Sequence, residues 1–266
     1  MDRIKEDVTL LLESATTKIS CHELTHFLAQ KYNFSNRLAA RLIHDLVKDG
    51  SFLFVYDCGQ NFLEKNYANG FCLSDNVMVV KPGTENHKEK GTVIIKLMPG
   101  AAFGDCRHPT TRLSVRAVDK IFSEKILSPG AKTALDIGTG SGILAITAAA
   151  LGMERVLALD IDPCARKEAR ENIAENNLQD RVTVSALTVD KTEGRFNLII
   201  SNLRSPTLIR YAETISEKTA EKGVAVLSGV KEEEYDPLLA VYKKTFDCLW
   251  KQTEGGWCAT VLLKKG

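Results

Sequence analysis

Three glycines at alternate positions, Gly138, Gly140 and Gly142, interrupt the run ALDIGTGSGILAI (residues 134–146). They stand between a strand-like and a helix-like apolar stretch, where residues without Cβ let the backbone turn tightly and a ligand lie against it. The first N–H groups of the following helix have no partner inside it and face the same place. The chemistry on offer is main-chain binding of a nucleotide-like group. Asp160 ends the next strand about 20 residues further on, where a carboxylate can accept hydrogen bonds from both hydroxyls of a ribose. Its plainer role is to cap the helix that opens at Pro163, a role that Asp162 fits better. Asp136, just before the turn, is placed to order the loop and to receive an amino group. Asn202 closes FNLIISN at the carboxyl edge of a strand, where ligands of open α/β sheets gather, and its amide donates and accepts at once. The alternative is that it satisfies a turn before Pro206.

Other spacings carry different chemistry. HELTH, His22 to His26, matches the two-histidine helix of zinc proteases. A zinc site needs a third protein ligand, and only His44, His87 and His108 remain as histidines. Ser20 with Glu23 makes a capping box and Leu24 with Leu28 a core face, which explains more, so no metal is expected. Arg37, Arg41, His44 and Lys48 share one helical stripe opposite Leu38, Leu42 and Leu46. That stripe suits a nucleic acid, but acidic and basic residues balance over residues 1–65, which favours a solvated face. His108 is either a proton acceptor or, as favoured here, a residue that fixes the loop ahead of Pro109. Arg107 and Arg204 together suit an acidic or phosphate-bearing acceptor, or are solvated loop arginines.

These residues need a scaffold. The chain has 266 residues, 44% hydrophobic and 26% charged, with 35 basic against 34 acidic residues, the balance of a globular protein without a global field for nucleic acid or membrane. Seven cysteines without a Cys-x-x-Cys spacing argue against a disulfide framework or structural zinc. No stretch is long and apolar enough to span a bilayer and no secretory signal opens the chain, so the cytoplasm is the expected location. Residues 1–65 predict three helices and a hairpin, the pattern of a winged helix. Residues 66–98 predict a connecting β-hairpin, NVMVV and TVIIKL flanking a polar loop. Residues 99–266 alternate strand and helix, beginning with a helix over about 109–127, and imply a doubly wound parallel sheet that ends in an antiparallel hairpin around Glu254 to Gly256.

In a dinucleotide-binding turn the third glycine falls where this chain has Ile143. Gly-x-Gly-x-Gly instead resembles the first motif of S-adenosylmethionine-dependent methyltransferases. With PGAAFGDCRHPTTRLSVRAVD, ALDIDPCARKEARENI, NLIISNL and GGWCATVLLKK, the chain from about Asn76 onward resembles the bacterial methyltransferases of ribosomal protein L11. The resemblance implies a Rossmann-like fold, S-adenosylmethionine as cofactor and a protein amine as acceptor. It carries cofactor contacts onto Thr111, Gly138, Asp160 and Asn202, with Thr110 in the same threonine pair. Beside it stands the expectation that Phe103 to His108 cover the site, Phe103 bordering the cofactor, and that Asn202 is the catalytic residue, orienting the cofactor or the acceptor. Phe103-Gly104-Asp105-Cys106-Arg107 departs from the family's Phe-Gly-Thr-Gly-Thr, Arg204 from its Asn-Ile-Leu, and Gly255 and Gly256 from its acidic pair before Trp257. Residues 1 to about 65 do not resemble the family's docking domain, which leaves open a nucleic-acid or small-molecule acceptor, or a catalytically silent regulator. The oligomeric state is not legible.

Overall fold

The apolar spacing near the N-terminus builds three helices, α1 (Asp2–Ser14), α2 (Cys21–Tyr32) and α3 (Asn36–Lys48), followed by antiparallel strands β1 (Phe52–Asp57) and β2 (Gln60–Lys65). The computed structural model describes residues 1–14, 19–57, 59–65, 70–84, 91–98, 100, 103–104, 106 and 108–266. It divides into two units, Met1–Asn69 and Gly70–Gly266. In the first, Ser20 caps α2: its Oγ accepts from Glu23 N (3.2 Å) while Glu23 Oε2 accepts from Ser20 N (2.8 Å). This is the predicted capping box, and it accounts for the first half of HELTH. Ser35 caps α3 in the same way, accepting from Leu38 N.

The core face of α3 includes Leu46, as expected, but is rotated away from Leu38. Ala39, Ile43 and Leu46 are buried with Val8, Leu24, Leu28, Phe52 and Leu63, whereas Leu38 is 42% exposed and borders the basic stripe. Positions 39, 43 and 46 share a face at 3.6 residues per turn, and a small Ala39 there does not announce itself.

The second unit opens with a correction. Strands β3 (Phe71–Cys72), β4 (Val77–Val80) and β5 (Val93–Lys96) form a sheet in that order, and β4 pairs with β5 in parallel, not as the expected hairpin. The connection between them, residues 81–92, is long enough to carry the chain back to its starting end, which a parallel pair requires. Residues 85–90 lie outside the described residues. Val77, Val79 and Ile95 bury into the same core as the helices that come next.

Those helices alternate with strands: α4 (Pro109–Ser123), β6 (Thr133–Ile137), α5 (Ile143–Leu151), β7 (Arg155–Leu159), α6 (Pro163–Glu175), β8 (Val182–Ser185), β9 (Phe196–Asn202), α7 (Ser205–Arg210), α8 (Ala212–Lys218), β10 (Thr219–Lys231), α9 (Tyr235–Tyr242), β11 (Phe246–Glu254) and β12 (Trp257–Lys264). Helix α4 stops before residue 127 because Lys125 turns left-handed (φ 54°) and Ile126 N returns to Ile121 O (2.9 Å). The seven strands lie in the order β11-β12-β10-β9-β6-β7-β8; β6 to β10 are parallel, and β12 and β11 run antiparallel to their neighbours. One apolar cluster fills each face of the sheet. The chain leaves β6 toward β7 and β8, then returns to β9 on the other side of β6, and this reversal opens a crevice at the strands' carboxyl ends. Among the described residues no helix is long and apolar enough to cross a membrane.

Candidate active site

A crevice of about 820 Å³ lies at that reversal, its wall including Gly138, Gly140, Asp160, Asn202, Thr110 and Phe103. Six of the nine residues singled out from sequence therefore meet there. The other three, Thr111, Asp136 and Gly142, do not line it.

The glycine turn has φ values of 76°, 54° and 86° at Gly138, Gly140 and Gly142, a region that L side chains enter only with strain. What the missing side chains admit is protein. A Cβ on Gly138 would stand 2.7 Å from Leu203, one on Gly140 would overlap the Phe103 carbonyl, and one on Gly142 would press at 3.2 Å on Ala169 of α6. Phe103 O accepts from Ser141 N and Gly104 O from Ser141 Oγ, both at 2.9 Å, so residues 103–104 rest on the turn. Asn172 of α6 ties the same parts from behind, donating to Ser141 O (2.8 Å) and accepting from Met98 N (2.9 Å).

Asp160 Oδ2 accepts from Gly140 N and Oδ1 from Asp162 N, each at 2.9 Å. Asp162 caps α6 through Cys164 N (2.8 Å), as its spacing predicts. With one backbone donor on each oxygen, the Asp160 carboxylate keeps acceptor capacity toward the crevice. Asp136 lies behind the turn, fully buried; its Oδ2 accepts from Thr139 Oγ1 (2.6 Å) and Ala145 N (3.1 Å), and its Oδ1 has no partner. Burial pushes this carboxyl up to about 7, against the two hydrogen bonds that lower it. Thr111 Oγ1 and Asn202 Oδ1 are likewise buried without a partner.

His108 caps α4: its Nδ1 accepts from Thr110 N (3.3 Å) and lies 2.8 Å from Thr110 Oγ1. Its ring stands 5.3 Å from Phe103 and 5.0 Å from Trp257, joining three aromatic groups at the crevice mouth. Arg112 and Arg116 of α4 both pair with Glu254, which precedes the turn to Trp257. Arg204 lines the crevice and is exposed; Arg107 lies outside the described residues.

Several residues of the crevice escaped sequence reasoning, three of them informative. Ile161 and Leu187, 77% and 44% exposed, offer bare apolar surface beside Asp160, the kind of wall a flat base covers. Gly229 (φ 82°) sits in a bulge of β10, and a Cβ there would crowd Leu203 O (2.5 Å) and Asn202 Oδ1 (3.0 Å). A glycine inside a strand pattern was its available signal. Taken together, the crevice offers a carboxylate with acceptor capacity to spare, apolar walls and an orphaned amide oxygen, an acceptor set that suits hydroxyl and N–H groups of a ligand.

Comparison with known proteins agrees. The family model described as ribosomal protein L11 methyltransferase matches residues 64–265. The ribosomal protein L11 methyltransferase of Thermotoga neapolitana is 32% identical over 275 residues, covering 98% of each chain. That of Geotalea daltonii is 41% identical over 162 residues, 59% of this chain and 52% of the relative, so the match spans about half that relative's length. Among solved structures, the ribosomal protein L11 methylase of Lactobacillus delbrueckii subsp. bulgaricus superposes with a TM-score of 0.66 at 28% identity, covering 74% of this chain and all of that one.

Proposed function

Because the chain belongs to the ribosomal protein L11 methyltransferase family, we propose that it moves the methyl group of S-adenosylmethionine to a protein amine, with residues 1–69 as a winged-helix module that selects the acceptor. The observation that carries this reading is Asn202 Oδ1, buried, without a partner, at the crevice end of β9. A native protein leaves such an oxygen unpaired at a cost of about 1–3 kcal/mol, which a bound partner recovers.

The residues present fit the cofactor. Asp160 is free to accept from ribose hydroxyls, Ile161 and Leu187 to cover the adenine, and the main chain at Gly138 and Gly140 to border the sugar and the methionyl part. Asp136 supports the turn from behind through Thr139 and Ala145 N, and Gly142 lets the turn pack on Ala169 of α6. When bound, the cofactor supplies an activated methyl group, so the protein's share is alignment more than acid–base work. The Asn202 amide accepts an N–H of the incoming amine and points its lone pair along the transfer line. The amine must be neutral to attack, and burial beside positive charge lowers its pKa. Phe103, resting on Ser141, and Trp257, packed on His108, close the mouth against water. An acceptor of this class puts the work in the cytoplasm.

Calorimetry with S-adenosylmethionine tests the binding half, and labelled methyl transfer into fractionated lysate tests the acceptor. Label in the protein fraction is the expected result. Label in nucleic acid or small molecules overturns the acceptor; binding without transfer to any fraction turns the chain into a cofactor-sensing regulator.

A further inference from the structure

The N-terminal unit carries charge that its own fold does not use. Residues 1–69 hold nine Asp and Glu against eight Lys and Arg, so their sum attracts nothing and their placement decides. Three of the acids serve the local structure: Asp7 accepts from Tyr32 Oη and pairs with Lys31 (2.8 Å), Glu23 closes the capping box, and Asp49 accepts from Ser51 N (2.8 Å). Arg37, Arg41, His44 and Lys48 are all exposed along one stripe of α3, and among the described residues no acidic side chain pairs with them. The stripe is about 16 Å long at 1.5 Å per residue. Asp45 flanks it, half-buried.

The hairpin adds aromatic surface at its side. Phe54 stands edge-on to the His44 ring at 5.0 Å, and Tyr56, two residues further along the same strand face, is 74% exposed. Phe52, the residue before them on that face, is buried in the core, so one aromatic row passes from the interior onto the surface. Cations that meet phosphates beside rings on which bases stack are the two parts of a single-strand binding surface. Stacking requires unpaired bases, which RNA offers in its loops and ends.

We infer that the basic stripe of α3 and the exposed face of the β1–β2 hairpin bind a single-stranded segment of RNA. The surface works without methyl transfer and does not depend on the crevice reading. Fluorescence anisotropy of the full chain with a short, unstructured, labelled RNA tests it. Affinity is expected to fall with salt, and Arg41→Ala and Lys48→Ala each to lower the slope of log K against log salt by about 0.7. Tyr56→Ala is expected to weaken binding about 5- to 100-fold with the slope unchanged. Thermal melts confirm that each variant folds. No binding at low salt, tighter binding of duplex RNA or of single-stranded DNA of the same sequence, or full affinity in Tyr56→Ala each overturns the inference. Binding of RNA without any methyl transfer would sink the proposed function alone, and the reverse result this inference alone.

Discussion

The two units treat their polar groups in opposite ways. In the N-terminal unit, Ser20, Glu23 and Ser35 close the caps of α2 and α3, and the charges left over face solvent. Among the described residues of the second unit, Ser74 Oγ, Thr111 Oγ1, Asp136 Oδ1 and Asn202 Oδ1 remain buried and unpaired; Asn202 lines the crevice, Asp136 lies behind its glycine turn and Thr111 follows the lining Thr110, and three of the exposed large apolar side chains, Phe103, Ile161 and Leu187, line the crevice too. Among the described residues, the first unit leaves no buried side-chain oxygen or nitrogen unpaired, whereas the second leaves one at the wall of its crevice. A buried oxygen left unpaired costs free energy, and at the crevice wall a bound ligand offsets that cost.

This contrast can be broken at the turn. Gly140→Ala would force a side chain into the Phe103 carbonyl at a left-handed φ, and should lower methyl transfer by more than about 100-fold, with two kinds of strain of about 1–3 kcal/mol each. Full activity in that variant would mean that residues 103–104 need not rest on the turn. Asn202→Ala comes next: steady-state kinetics should show kcat reduced about 100-fold, the scale of losing one oriented polar group, and unchanged kcat and affinity would remove Asn202 from the site. For Asp160→Ala, calorimetry should show S-adenosylmethionine bound about 10- to 100-fold more weakly, from hydrogen bonds to a charged group worth about 1.5–3 kcal/mol.

Asp136 gives a test by pH. Its carboxyl sits at about 7 in the folded chain against 3.8 for the free group, so the folded state holds the proton more tightly. Its contribution to stability is therefore complete below about pH 4 and lost as the pH rises through about 7. Between pH 5 and 8 the apo chain should lose about 3 kcal/mol relative to Asp136→Asn, which keeps the neutral shape. Paired thermal melts at the two pH values check this, and a constant difference would return the carboxyl to its ordinary range. Smallest is Ser20→Ala, which should cost the N-terminal unit about 1 kcal/mol while leaving cofactor affinity intact. A matching loss of affinity would erase the division between the two units.

Local features were legible in the sequence. The capping box at Ser20, the cap at Asp162, the glycine turn and the strand ends at Asp160 and Asn202 depend on residues within a few positions of one another. The rest depends on partners distant in the chain. The β4–β5 pair reads as a hairpin because only its flanking strands, not the path of the connection, are visible in one dimension. Helix α3 hid its core face because Ala39 is small.

The chain's own pattern determined that a parallel sheet would present a bare turn, a carboxylate and an amide at one edge, since strand and helix periods and their punctuation are local properties. Tertiary structure alone decided what the bare turn touches: Gly140 faces the Phe103 carbonyl and Gly229 makes room for Asn202. It also decided that Glu254 would meet Arg112 and Arg116 across about 140 residues of chain. Close approach of segments so far apart comes from the packing of both sheet faces, and no spacing between neighbouring residues encodes it.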